Sequence, residues 1–196
     1  MINAVFAVTR PWGGARSASA RWPAIAAALA LMAGLAVPPA SAQQGGDEVR
    51  DTIGDWTIRC AAGTENCVMS QVGKGPQGND MIEVRVGKLQ DVTAPDGTAV
   101  PALIQITTPL DVALKGGVRF QVDSGSPRVA PFDRCFPRGC LVVELMNNGS
   151  IDEMKRGSAA RVTLVALQQG EISTNISLRG FTRAYDSLKP SGRAAN

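Results

Sequence analysis

The sequence predicts an all-β fold, an antiparallel β-sandwich carrying one or two short helices. Three observations lead there. Apolar residues recur with period two in four separate segments. Turn-forming clusters interrupt those segments at short, regular intervals. Four cysteines fall into two sequence-local pairs that bracket turn-rich loops.

From the N-terminus, residues 1–42 read as a secretory signal peptide. Arg10, Arg16 and Arg21 form a basic region, and Ala24 to Val37 is an apolar stretch of 14 residues. That is shorter than the roughly 20 apolar residues a membrane span needs. Pro38 and Pro39 end the stretch, and Ala40-Ser41-Ala42 supplies small residues for cleavage between Ala42 and Gln43. No cysteine follows that site to take a lipid, and no arginine pair marks a twin-arginine route. The mature chain would hold 154 residues, the size of one domain, with no transmembrane segment. The expected compartment is the periplasm, or the exterior after secretion. The formal charge of +3 for the whole chain comes from the three leader arginines, leaving 17 basic and 17 acidic residues. A neutral mature domain has no basic excess with which to hold nucleic acid.

Residues 43–50 are polar and glycine-rich and read as a flexible leader. Residues 51–189 form the sandwich domain, and 190–196 a disordered tail. Within the domain Trp56, Ile58 and Cys60 alternate with polar neighbours. So do Ile82, Val84 and Val86; Val118, Phe120 and Val122; and Ile172, Thr174, Ile176 and Leu178. Each set predicts a strand with one face to the core and one to water. Cys67 to Val72 is a further strand. Ala102 to Thr107, Leu141 to Met146 and Ala160 to Leu167 are apolar on both faces in places, which suits central strands covered on both sides. Turns are expected at Pro76–Asn79, Pro95–Gly97, Lys115–Gly117, Ser124–Pro127 and Asn148-Gly149. Ser150 to Glu153 has the capping-box form, with Ser150 as N-cap, Lys155 and Arg156 in the last turn, and Gly157 as a C-cap able to take positive φ. Phe181, Ala184, Tyr185 and Leu188 fall on one face of a second short helix that would close one end of the sandwich. Asn148-Gly149-Ser150 and Asn175-Ile176-Ser177 match the glycosylation sequon but read as turn plus cap and as strand.

Cys60, Cys67, Cys135 and Cys140 follow an export signal in even number, which favours disulfides. Four cysteines allow three connectivities. Cys60–Cys67 and Cys135–Cys140 are preferred because each closes a small loop, and such closure stabilises by about 2–2.5 kcal/mol in the chain-entropy model. The alternative, a tetrathiolate zinc site, usually spaces its cysteines by two to four residues; here the gaps are six and four.

Chemistry is sparse. The chain has no histidine, which excludes a Ser-His-Asp triad, a Cys-His pair and any histidine-ligated metal. No S-x-x-K, G-x-S-x-G, phosphate loop or EF-hand loop occurs. Neither a cofactor nor a metal is expected. A carboxylate enzyme would draw on Asp80, Glu83, Asp91, Asp96, Asp133 and Glu144, none in a recognised spacing. A binding surface is the stronger expectation. The Cys135–Cys140 loop displays Phe136, Pro137 and Arg138, preceded by Arg134: an aromatic beside arginine on a closed turn, the composition of an interface hot spot. Lys155 and Arg156 are added as candidates whose position the sequence does not set. The competing reading has Phe136 capping the core and the arginines as ordinary surface charge. Trp56 reads as core from its strand phase.

Six segments in order resemble one family. They are Gly54-Asp55-Trp56-Thr57-Ile58-Arg59-Cys60; Cys67 to Gln71; Pro109 to Asp123; Pro131 to Cys135 with Gly139-Cys140; Met154-Lys155-Arg156-Gly157; and Ser177 to Ala184. Together they are similar to the invasion-associated locus B family of exported bacterial proteins, over about residues 53–188. One step departs from the family's P-x-G pattern, reading Pro109-Leu110-Asp111. The resemblance implies an exported sandwich-like protein, associated in the family's named member with bacterial invasion of host cells, and no catalytic residues to carry over. The expected partner is a protein or an envelope component. A structural or stress-protective envelope factor is the alternative, and an unrecognised carboxylate enzyme a second.

Overall fold

The computed structural model describes residues 46–191; the predicted signal peptide, most of the leader's first residues and the end of the tail lie outside them. Eleven strands and two helices are described: β1 (Asp47–Ile53), β2 (Trp56–Ala61), β3 (Cys67–Lys74), β4 (Asp80–Lys88), β5 (Ala102–Thr108), β6 (Val118–Val122), β7 (Arg128–Ala130), β8 (Arg134–Phe136), β9 (Gly139–Met146), α1 (Asn148–Arg156), β10 (Ala159–Ala166), β11 (Gly170–Ser177) and α2 (Phe181–Ser187). A single 3-10 turn covers Leu114–Gly116.

The strands form two antiparallel sheets. The larger has the order β1-β2-β3-β4-β5-β9-β8, the smaller β11-β10-β6-β7. Alternation decides which side chains meet between them. Ile58, Met69, Val84, Ile104 and Val142 face inward from the large sheet, and Val118, Val122, Val162, Leu164 and Ile176 from the small one. The strands predicted from period two all form, and the sandwich predicted from them is the fold.

Four expectations are corrected. Residues 47–50, read as flexible leader, open the edge strand β1, which pairs with β2 from Asp47↔Ala61 to Ile53↔Trp56. Its side chains are nearly all exposed, so it carries no apolar period; backbone pairing and the ion pairs of Arg50 with Glu65 and Asp47 with Arg85, each 2.8 Å, hold it. Ser191, read as tail, donates its N–H to the Lys88 carbonyl at 3.2 Å. The apolar runs in β5, β9 and β10 are not covered on both faces: β5 alternates strictly between buried and half-buried, and Leu145 is 51% exposed. Finally, α1 starts earlier than Ser150. Asn147 is its N-cap, accepting the Ser150 N–H on Oδ1 at 2.9 Å, so Asn148-Gly149 is the first helical turn. Glu153 turns outward to Arg128 at 2.8 Å. Gly157 has φ −76° and needs no left-handed freedom; a Cβ there would lie 2.8 Å from Leu178 Cδ1, so close packing is what calls for glycine.

The first and last motifs of the domain meet residue against residue. Gly54 and Gly180 lie back to back, both at positive φ (64° and 86°). Asp55 accepts from Arg179 Nε at 3.0 Å and donates its N–H to the Arg179 carbonyl at 3.1 Å. Trp56 meets Phe181 edge-on at 5.4 Å between ring centroids. Phe181, Ala184, Tyr185 and Leu188 are buried, so α2 closes the sandwich with the face its periodicity predicts. The Pro109-Leu110-Asp111 turn keeps the geometry of a glycine step, with Asp111 at φ 62°; aspartate is among the few non-glycine residues that visit this region readily.

Several exposed carboxylates are held in their charged form. The Lys189 ammonium and Arg50 guanidinium beside Glu65 pull its carboxyl down to about 2 from the usual 4.5. The backbone N–H groups of Ser158 and Ala159 hold Asp123 below its ordinary value. Groups depressed in the folded state stabilise it above their unfolded pKa and lose that contribution as pH falls through the folded one. The thermal midpoint is therefore expected to decline as pH drops from 4.5 toward 2, with Glu65 titrating near 2 by NMR. A Glu65 midpoint near 4.5 would show that its two ion pairs do not persist in solution.

Candidate functional site

Both cysteine pairs form disulfides between directly opposed strand residues. Cys60–Cys67 joins β2 to β3 with Cα atoms 4.0 Å apart, and Cys135–Cys140 joins β8 to β9 at 3.9 Å. All four thiols are consumed, which removes the zinc alternative. Among the described residues no group of three or more histidine, cysteine, aspartate or glutamate side chains is placed to hold a metal.

The second disulfide closes a hairpin that forms the β8 edge of the large sheet. Phe136 pairs with Gly139 across its tip, and Pro137-Arg138 forms the turn. Gly139 sits at φ 148°, and a Cβ there would collide with the Thr108 carbonyl oxygen. That close approach seats the hairpin against the end of β5. Phe136 is 49% exposed and Arg138 is exposed, which overturns the core-capping alternative for Phe136. Phe132, four residues earlier, is the aromatic that packs on the core. Arg134 stands 6.0 Å over the Phe136 ring and pairs with Asp133.

Beneath the hairpin the sheet face forms an open hollow of about 690 Å³. Glu83 and Arg85 of β4 and Gln105 and Thr107 of β5 provide its floor; Phe136 and Arg138 provide its rim. Arg85 bonds to Glu83 at 3.0 Å and to Asp47 at 2.8 Å. Burial works against its charge, but the two carboxylates outweigh that and raise its pKa above the ordinary arginine value. The floor is thus a neutralised, fixed polar surface. Arg138 makes no ion pair among the described residues, so its charge faces outward.

Lys155 and Arg156 do not join this site. They end α1, which follows β9 beyond Met146, whereas the hairpin lies at the Cys140 end; six residues of strand separate the two, about 20 Å. Lys155 instead pairs with Asp186 at 2.9 Å and stands 5.1 Å over the Tyr185 ring. Sequence reasoning missed Gln105, Arg85 and Thr107. Alternation marked Arg85 as outward-facing, but Gln105 and Thr107 lie in a run read as covered on both sides, and which strands lie side by side near the hairpin is a matter of sheet order. Of the candidate acids, Glu83 is in the floor, Asp80 pairs with Lys74, Asp96 accepts the Thr98 N–H at 2.9 Å in its turn, and Glu144 lies elsewhere between the sheets.

The model of the family described as "Invasion associated locus B (IalB) protein" matches residues 56–189, which includes the hairpin and all but the opening of the Gly54–Gly180 contact. The chain belongs to the invasion associated locus B family. An invasion protein B homolog of Brucella abortus (strain 2308) is 28% identical over 153 residues, covering 76% of this chain and 84% of that protein. Invasion protein B of Bartonella bacilliformis is 21% identical over 155 residues, covering 76% and 79%. The crystal structure of invasion associated protein B from Bartonella henselae superposes with a TM-score of 0.56 at 23% identity, over 72% of this chain and 96% of that one. That likeness shows the fold shared by this family member. The family is named for invasion and not for a reaction.

Proposed function

We propose that this protein is an exported, non-catalytic binding module whose recognition surface is the Cys135–Cys140 hairpin and the hollow beneath it. One observation carries the reading: Phe136 and the unpaired Arg138 are held exposed on a disulfide-closed turn above a fixed polar floor. A turn whose conformation is set before binding loses little entropy when it docks. An aromatic ring beside a guanidinium suits a partner that presents an anionic group next to an apolar one. Two disulfides fit an oxidising compartment outside the cytoplasm. No helix of the described residues is long and apolar enough to cross a membrane. The relatives' names support a part in host-cell invasion, with the partner a protein or an envelope component on either side of that encounter.

The test is affinity capture with crosslinking, using the mature chain as bait in envelope extract of its own bacterium and in host-cell membrane extract. Phe136→Ala with Arg138→Ala is expected to abolish enrichment. The same double variant should change unfolding free energy by less than about 1 kcal/mol, as exposed positions do. Normal enrichment by the double variant would remove the hairpin as the site. The extract that yields the partner separates a host-facing role from an envelope one.

A further inference from the structure

The side of the sandwich opposite the β3–β11 contact is open, and its features point to a second kind of partner. On the closed side, side chains bridge the sheets: Gln71 accepts the Ser177 N–H at 2.7 Å, and the Thr174 hydroxyl donates to the Lys74 carbonyl at 2.7 Å. On the open side, β9 pairs with β5 along its whole length, but β8 covers only Gly139 to Leu141. The Asp133 N–H donates to the Leu141 carbonyl at 2.8 Å. Backbone groups alternate between the two neighbours of a strand, so Val143 and Leu145 continue the row that Leu141 presents to β8. Among the described residues no other strand pairs with their N–H and C=O groups, which form a free edge.

Beside this edge a slot of about 400 Å³ opens between the sheets. Its walls are apolar, including Ile106, Phe120, Ala130 and Met146. Glu144 projects into it from β9, opposite Ile104 in the β5 register. Arg128 at the mouth is already paired with Glu153. Glu144 has no ion-pair or hydrogen-bond partner among the described residues, so the slot carries one uncompensated negative charge. Val129 and Leu145, 63% and 51% exposed, flank the opening.

We propose that the free edge of β9 takes up an extended segment of a partner protein as an added antiparallel strand, and that Glu144 selects a lysine or arginine on it between apolar neighbours. The register dictates that pattern. A residue directly opposite Glu144 projects to the same face, with its Cβ about 4.5–5.5 Å away, so a base there meets the carboxylate. The residues on either side of that base project to the outer face beside Val143 and Leu145, where apolar side chains cover exposed apolar surface. This surface is distinct from the hairpin hollow, and each can fail without the other.

An inward charge on an edge strand also serves to keep copies of a protein from pairing, and the experiment separates the two roles. The mature chain, labelled for amide NMR, is titrated with acetyl-Thr-Val-Lys-Val-Thr-amide and with the same peptide carrying glutamate for lysine. The lysine peptide is expected to shift the Val143 and Leu145 amides and to bind about fivefold more tightly than the glutamate peptide, the scale of one partly exposed ion pair. Glu144→Gln should remove that preference while the spectrum stays folded, and Phe136→Ala with Arg138→Ala should leave it intact. Equal binding of the two peptides, shifts confined to other residues, or a preference that survives Glu144→Gln would overturn the proposal. So would absence of peptide binding together with self-association of the Glu144→Gln variant in sedimentation, which would make Glu144 an edge guard only.

Discussion

Gly180→Ala is expected to cost about 2–5 kcal/mol of folding free energy, from left-handed backbone strain and forced overpacking together. Gly180 sits at φ 86° as the N-cap of α2, and a Cβ there would lie 2.5 Å from the Ile53 carbonyl oxygen and 2.9 Å from Gly54 Cα. None of these is a flexible side-chain end, so the clash is relieved only by moving α2 or the β1–β2 turn. Gly54→Ala meets the same obstacle from the other side, its Cβ 2.8 Å from Gly180 Cα at φ 64°. Because both substitutions open one gap, the double variant should lose less than the sum of the singles. Urea unfolding with the disulfides intact measures this. A loss below about 1 kcal/mol for Gly180→Ala would mean that the two turns are not in contact in solution. Domains of this size have roughly 5–15 kcal/mol in all, so the variant should also accumulate poorly.

Trp56→Ala is expected to cost about 3–5 kcal/mol, the range for deleting a buried aromatic. Trp56 is fully buried, donates Nε1–H to the Ser177 carbonyl at 3.1 Å and meets Phe181 edge-on. The edge-to-face pair should show a coupling of about 0.5–1.5 kcal/mol in a double-mutant cycle with Phe181→Leu. Additive losses would show that each ring is buried independently. The Gly54–Gly180 contact lies at the β1–β2 edge of the large sheet and the hairpin at the opposite β8 edge. Both substitutions are therefore expected to lower the amount of folded protein without changing the affinity of what remains folded.

These contacts explain why the family resemblance is strong while catalytic types are sparse. Gly54-Asp55-Trp56 and Arg179-Gly180-Phe181 are the two halves of one latch between the ends of the domain. Met154 is fully buried, and Gly157 admits Val122 and Leu178. Most of the motif positions hold the chain together. The residues proposed to meet partners, Phe136 and Arg138 on the hairpin and Glu144 in the slot, lie outside those contacts.

The strands with one buried face could be read from the chain, because a strand's side chains alternate whatever its neighbours are. The two disulfides followed from loop length and the α2 face from its spacing, all local properties. β1, β7 and β8 carry no such signal. Their side chains are mostly exposed, and pairing to a neighbour, not an apolar period, makes them strands. The α1 cap moved to Asn147 because capping depends on where β9 ends, and Ser150 and Asn147 both have the chemistry for it.

The candidate sites divide in the same way. Phe136 and Arg138 were marked by a closed cysteine loop with an aromatic and a base inside it, a feature of six neighbouring residues. The floor of Glu83, Arg85, Gln105 and Thr107 comes from strands that approach the hairpin only through the order β4-β5-β9-β8. The separation of Lys155 and Arg156 from it is the length of β9, and the slot at Glu144 opens beside the part of β9 beyond Leu141, where pairing with β8 ends. Side-chain alternation, loop closure and helix spacing act over a few residues, so composition and order along the chain settle them. Sheet order and strand overlap join residues tens of positions apart, and only the packing of one sheet on the other selects among the arrangements that those local preferences allow.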